Sequence, residues 1–369
     1  MATDTDLILT TSERVRQAAA SGTSLRVRGG GSKDFYGEAL EGDLLDTARL
    51  NGIVSYEPSE LVVTALAGTP LAELEALLAA QGQCLAFEPP HFSPNSTVGG
   101  MVASGLSGPA RASAGAVRDF VLGVKLINGK GEHLTFGGQV MKNVAGYDVS
   151  RLMVGAMGTL GLLTEVSLKV LPVAPLEATL KFEMSQAQAL MQLNAWGGQP
   201  LPLNASCWLD EKGVGTLYLR LRGAVAAVES ACAKLGGKRI PNDQATADWT
   251  LCRDQQLPWF TERTDTQDLW RLSVPQTTPV LDLPDSPLIE WHGGQRWVRA
   301  DGSQGTQLRA LARAAGGHAT LFIAACARKQ GDIARFDALK PPLDRIHREL
   351  KREFDPAGVF NPHRMHTDW

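Results

Sequence analysis

Cysteine is scarce in this chain and never clustered. Five occur in 369 residues, Cys84, Cys207, Cys232, Cys252 and Cys326, and no two stand in a C-x-x-C pattern. That spacing supplies neither the thiolates of an iron–sulfur cluster nor those of a zinc site, and no metal is expected. Free buried thiols are the default reading. Charge of one sign is also lacking. Thirty-six basic residues face 39 acidic ones, a formal net charge of −3, which gives no basic field for nucleic acid and no polybasic membrane patch. No apolar run approaches the ~18 residues of a spanning helix. The first residues, Met1-Ala2-Thr3-Asp4-Thr5-Asp6, are acidic and lack a secretory n-region, so a cytoplasmic protein is expected.

What the chain has is glycine, unevenly placed. Of 38 glycines, 23 precede Pro172, whereas all eight tryptophans lie at Trp196 or later. The shift predicts a boundary near Pro172–Pro175. The expected plan is a ligand-binding domain over 1–173, a second domain over 174–330, and a C-terminal segment over 331–369 returning to the first. Local signals predict a helix over Glu13–Ala20, a strand over Leu25–Arg28, a helix over Pro70–Gln81 capped by Thr69, and a hairpin of Phe120–Asn128 with Glu132–Phe136. Helices are expected over Ser185–Trp196, Ala224–Leu235 and Leu343–Phe354. Trp249, Trp259, Trp270, Trp291 and Trp297 read first as core and second as a partner surface.

Three glycine-rich blocks carry the chemistry. In the first, Arg28-Gly29-Gly30-Gly31-Ser32-Lys33 follows the strand. Glycine reaches positive φ without a Cβ penalty, so such a loop can turn its amides toward one point as an anion nest, with Arg28 and Lys33 adding charge at the rim. A diphosphate is the natural guest. The second runs Ser96-Thr97-Val98-Gly99-Gly100-Met101-Val102-Ala103-Ser104-Gly105-Leu106-Ser107-Gly108, with Gly115 beyond. Its small residues let backbone lie flat against something extended, and Thr97, Ser104 and Ser107 bring short hydroxyls; a small-residue helix packed on a neighbour is the competing reading. The third spans Lys142-Asn143-Val144-Ala145-Gly146-Tyr147-Asp148 and continues to Gly158-Thr159-Leu160-Gly161-Leu162, where main-chain groups could meet a flat heterocycle.

In order and spacing these blocks resemble the FAD-binding domain of the vanillyl-alcohol oxidase and p-cresol methylhydroxylase (PCMH) flavoprotein superfamily. The C-terminal Asp355-Pro356 and Asn361-Pro362 resemble its closing motif. The resemblance implies an α+β fold: a PCMH-type domain of two α/β subdomains plus a smaller cap of antiparallel sheet and helices. It also implies FAD held at residues 28–33, Thr97, Gly99, Gly100, Ser104, Gly105, Ser107, Gly115, Gly158, Gly161, Leu162 and Asn361. Ser32 and Lys33 stand where covalent members often carry histidine, so non-covalent FAD is expected.

Glu88-Pro89-Pro90-His91, Val117-Arg118-Asp119-Phe120-Val121-Leu122-Gly123 and Met141-Lys142-Asn143-Val144-Ala145-Gly146-Tyr147-Asp148 look, more narrowly, like FAD-binding subunits of bacterial glycolate oxidases. That likeness implies a complex with a larger FAD-binding catalytic subunit and an iron–sulfur subunit. The complex would oxidise glycolate, or a D-lactate-like 2-hydroxy acid, and pass electrons to an acceptor other than oxygen. It implies a cytoplasmic location, peripheral at the inner membrane through partners. The metal-binding histidine segment of related 2-hydroxy-acid dehydrogenases is missing; only Gly317-His318-Ala319-Thr320 approaches it. His318, Arg271 and Arg296 are the candidates for contact with substrate, each weighed against an ordinary surface role.

Overall fold

The computed structural model describes residues 3–138, 147–326 and 332–368. The segment Met141-Lys142-Asn143-Val144-Ala145-Gly146 therefore lies outside the described residues.

The N-terminal helix, Asp4–Ser21, begins earlier than expected because Thr3 and Asp6 form a capping box, and Gly22 ends it in the left-handed conformation. The chain then enters strand Leu25–Arg28, which pairs in parallel with Asp43–Asp46. Val15, Leu25, Leu45, Val359 and Phe360 bury together against this pair. The far C-terminus thus completes the first small layer.

The second layer is an antiparallel sheet of five strands in the order Ile53–Glu57, Val62–Leu66, Leu162–Lys169, Val121–Ile127 and His133–Gly137. Helices Leu71–Ala79 and Val98–Ser104 bury Leu71, Leu74, Leu78, Val98 and Met101 among the core residues of this layer. Helix Leu71–Ala79 starts after Pro70 rather than on a Thr69 cap. Thr69 is diverted: its hydroxyl accepts from Gly52 N and donates to Gly52 O, both at 3.0 Å, closing the loop before the helix.

Every strand from Leu176 to Ile323 joins a third, eight-stranded antiparallel sheet. The α+β class is as expected. We propose the division 1–173, 174–330 and 331–369 as its domain plan, since sheet membership changes across Pro172–Leu176 and helix Leu343–Phe354 leads back to the first layer. Helices Gln186–Gly197, Val225–Leu235 and Gly305–Ala314 cover one face of the cap sheet. The other face carries Trp249, Trp259 and Trp297 and meets Tyr36 and Leu106 of the first domain. Trp249, Trp259, Trp270, Trp291 and Trp297 are all buried, so they are core, as first expected.

Candidate functional site

Four stretches distant in sequence converge on one narrow cleft in the first domain. Its lining includes Val27 and Gly29 from the first glycine block, Gly99, Gly100 and Ala103 from the second, Ala156, Met157, Gly158 and Gly161 from the third, and Asn361 from the C-terminus. More than half of the lining is glycine or alanine, which suits a long, flat guest. The packing explains why. A Cβ on Gly29 would lie 2.5 Å from Thr97 Oγ1, one on Gly99 2.7 Å from Ala67 Cβ, and one on Gly158 2.7 Å from Asn361 Nδ2.

Asn361 ties the cleft together. Its Oδ1 accepts from Val27 N at 2.7 Å, its Nδ2 donates to Met157 O at 2.7 Å, and its own N–H donates to Leu25 O at 2.9 Å. One amide thereby fixes the first strand against the third block. Asn361→Ala should cost about 2–3 kcal/mol of stability, because a buried donor and a buried acceptor lose their partner. It should weaken binding of the cleft's ligand in parallel; thermal melting and ligand titration on one preparation check both.

Downstream of the glycines, Arg364 does similar work unseen in the sequence. Its guanidinium, buried, donates to the carbonyls of Lys33, Asp34, Tyr36 and Glu38. Burial lowers its pKa to about 10, and the ring of carbonyl dipoles keeps it a cation. Lys351 anchors the same tail, donating to Asp355 Oδ2, Thr159 O and Phe360 O at 2.7 to 2.9 Å. No sequence motif marks Arg364, since its partners lie some 330 positions away.

The rim cations differ from expectation. Arg28 Nε donates to Asp34 Oδ2 at 2.8 Å, so its charge is neutralised within the loop. Lys33 Nζ turns to Ser96 Oγ at 2.9 Å and Ser32 Oγ at 3.2 Å and lies 5.7 Å from the Phe92 ring centroid. Burial, partly offset by the negative field of Asp254, lowers its pKa to about 8.

Not every residue of the blocks reaches the cleft. Thr97 caps helix Val98–Ser104, its Oγ1 accepting from Gly100 N at 3.2 Å. Ser104 Oγ donates to Met101 O within the same helix. Gly105 ends that helix with φ +63 and packs on Gly155. Ser107 Oγ accepts from Val117 N at 3.2 Å, Gly115 turns the chain beside Asp119, and Leu162 is buried in the core with Leu25. Gly30 packs on the Asn95 backbone, and Gly31 turns at φ +71 beneath Arg28. Thr47, Ala67, Met153 and Leu163, which no motif marked, complete the lining.

The substrate candidates separate by register. Arg271 pairs with Thr320 and Trp297, and Ser273 with His318, so Arg271 and His318 share the cap face that meets the first domain. Arg271 Nη2 donates to Tyr36 Oη at 3.1 Å and the guanidinium lies over the Tyr36 and Phe322 rings. The His318 pKa is lowered by desolvation first and by the charge on Arg271 second. Arg296 pairs with Leu272 and Ile289 and points to the other face, where it donates to Thr278 O and Pro279 O. Strand alternation therefore removes Arg296 from the site.

Glycine-rich cleft, C-terminal closure through Asn361 and antiparallel cap belong to a flavoprotein of the PCMH type, with FAD as its cofactor. The FAD binding domain family matches residues 10–137. The cleft suits that group in the chemistry of its wall, which is mostly glycine and alanine, and among the described residues its lining holds no cysteine or histidine that could bond the flavin covalently.

The chain is 46% identical over 356 residues to glycolate oxidase subunit GlcE of Escherichia coli (strain K12), covering 96% of each. It belongs to that family of FAD-binding oxidoreductase subunits. Shorter stretches are 34% identical to a D-lactate dehydrogenase of Anaerostipes hadrus (36% of this chain, 27% of that protein) and 33% identical to glycolate oxidase subunit GlcD of Bacillus subtilis (strain 168) (36% and 28%). Among solved structures, an alkyldihydroxyacetonephosphate synthase superposes with a TM-score of 0.64 at 16% identity, covering 95% of this chain and 75% of that one, a likeness of fold. No helix among the described residues is long and apolar enough to cross a membrane.

Proposed function

We propose that this chain is an FAD-holding subunit of a glycolate-oxidising complex, working with a larger FAD-binding subunit and an iron–sulfur subunit and passing electrons to an acceptor other than oxygen. One observation carries the flavin part: four separated stretches meet in a single glycine-rich cleft tied by Asn361. Gly29–Gly31 would present amides to the diphosphate, Gly99, Gly100 and Ala103 would flank the extended dinucleotide, and Gly158 and Gly161 would meet the ring. Bound there, FAD supplies a two-electron acceptor.

The surroundings of Arg271 bear on which subunit meets the hydroxy acid. Phe92, Phe322 and Trp297 crowd it, and the void they share with Arg271 and Ser107 is only ≈ 20 Å³. A single water needs about 10–15 Å³ of such space, so the void has room for about one water and not for a hydroxy acid. This favours oxidation of the substrate on the larger partner, with the present chain contributing a second flavin. The expected result is that the purified chain binds one FAD but does not reduce a dye with glycolate until its partners are added. Turnover by the isolated chain would mark a free-standing oxidase of another alcohol or lactone. A colourless protein indifferent to FAD would mark a scaffold.

Lys33 predicts a pH dependence. With a pKa of about 8 in the folded protein against 10.5 for a free lysine, the unfolded chain holds the extra proton between those values. Its burial therefore costs stability below pH 8, and that cost disappears as pH rises toward 10.5. FAD affinity moves the other way. A diphosphate favours the ammonium, so binding takes up a proton above pH 8 and should weaken by about fivefold from pH 8 to pH 9, approaching about tenfold per unit beyond. FAD titrations across that range should show the slope in the native chain and lose it in Lys33→Met.

A further inference from the structure

A cavity in the cap takes no part in the flavin cleft. It encloses ≈ 690 Å³ in the cap, between helix Asn242–Arg253, the turn Pro258–Thr261 and the hairpin of strands Leu203–Glu211 and Val214–Gly223, well within the size of pockets that bind ligand groups. Three aromatic rings line it, each pinned through its own polar atom. Trp249 Nε1 donates to Thr179 Oγ1 at 2.9 Å, Trp259 Nε1 to Ser286 O at 3.3 Å and Tyr218 Oη to Glu211 Oε1 at 2.7 Å. The wall is therefore set before anything binds.

Its charge is one-sided. The nearby cations are committed: Lys181 Nζ to Glu211 at 2.8 Å, and Arg299 to Asp285 at 2.9 Å while stacked 4.9 Å from the Trp259 ring. The carboxylates of Asp248 and Glu262 line the same cavity with no hydrogen-bond or ion-pair partner among the described residues. Burial, and then the field of Glu211, raise the pKa of Asp248. Lys212 is the only uncommitted cation among the lining residues described. Beyond the lining, on the same hairpin as Asp210 and Lys212, Val214 is 46% exposed.

We infer that this cavity is the docking pocket for a basic segment of a partner subunit, a lysine or arginine beside a bulky apolar side chain. The apolar group would fill the space between Trp249 and Trp259, and the cation would meet Asp248 and Glu262. The exposed Val214 on the hairpin that lines the cavity favours a polypeptide over a free small molecule. The inference rests on the heteromeric reading above.

The test co-expresses the chain with its larger FAD-binding and iron–sulfur partners and measures association of the purified components. Asp248→Lys with Glu262→Lys should weaken association by about tenfold or more, while the isolated variant keeps its FAD. Lys212→Glu should strengthen association by roughly threefold, the opposite sign. Ala245→Phe, which fills the cavity without changing charge, should abolish docking in a variant whose melting stays native-like. Hydrogen exchange in the native complex should slow across 242–262.

Unchanged association in the charge variants overturns the inference, as does protection confined to another surface. Loss in the charge variants with full association of a folded Ala245→Phe chain also overturns it, because the charges would then steer without an occupant. If the chain binds FAD but never associates with these partners, the docking inference falls and the flavin reading stands.

Discussion

Replacing Gly30 by alanine should strip the protein of FAD. A Cβ at this position would lie 1.4 Å from Asn95 O and 2.5 Å from its carbonyl carbon, closer than any non-bonded atoms approach. Asn95 has little room to yield. Ser96 N–H is bonded to Ser93 O, Ser96 O accepts from Leu71 N at 2.8 Å, and Thr97 begins the helix that walls the cleft. The glycine loop must move instead, and its amides lose their common aim. We expect FAD affinity to fall at least about a hundredfold, ~2.7 kcal/mol, read as loss of visible flavin absorbance in the purified protein. Gly197→Ala, at the end of a cap helix with nothing within 4 Å of the new methyl, should keep full flavin. Stoichiometric FAD in Gly30→Ala would show that residues 28–33 do not hold the diphosphate.

That expectation combines what the sequence disclosed with what it hid. Strand Leu25–Arg28 and helix Leu343–Phe354 lie where local pattern predicts them, because apolar spacing and flanking glycines or prolines are local signals. The second glycine block was open to two readings, and both have a place: it forms helix Val98–Ser104, with Gly99 packed on Ala67, while Gly99 and Gly100 also face the cleft. Thr97, read as a hydroxyl for the ligand, serves as the cap of that helix.

Most of the cap sheet was invisible because its pairings are not local. Strand Leu176–Glu183 finds partners in Val214–Gly223 and Lys238–Ile240, and Asp268–Ser273 in His318–Ile323. Register then decides function: nothing in the order Gln295-Arg296-Trp297 says which of the two larger side chains faces the flavin domain. Arg364 was hidden for the same reason, as a single cation whose four acceptors are main-chain oxygens and leave no residue-type signature.

The contact between the two domains supplies the other large effect, through Glu88. Its carboxylate takes Arg220 Nη2 at 2.7 Å on both oxygens, Arg222 Nη1 at 3.2 Å and Ala110 N at 3.1 Å. Burial alone would raise its pKa, but Arg220 and then Arg222 overcome that and hold it below the ordinary carboxylate value. The side chain of Arg220 is 3% exposed and stacks 4.8 Å from the Trp249 ring, so it cannot turn to water if its partner is removed. Glu88→Ala should therefore cost about 3–5 kcal/mol, the penalty of a buried charge left uncompensated.

The pH profile carries the sign. A carboxylate with a lowered folded pKa contributes stability above its unfolded value of 4.5, and that contribution is lost as pH falls through the folded pKa. Glu88→Ala and Glu88→Gln should both flatten this acid limb in urea unfolding, the glutamine keeping the side chain's size. FAD should still bind to the folded fraction of either variant, because none of the cleft-lining residues comes from the cap. A loss under about 1 kcal/mol in Glu88→Ala would mean that the aromatic contacts of Tyr36, Phe35 and Phe92 with Phe322 hold the cap in place without the ion pair.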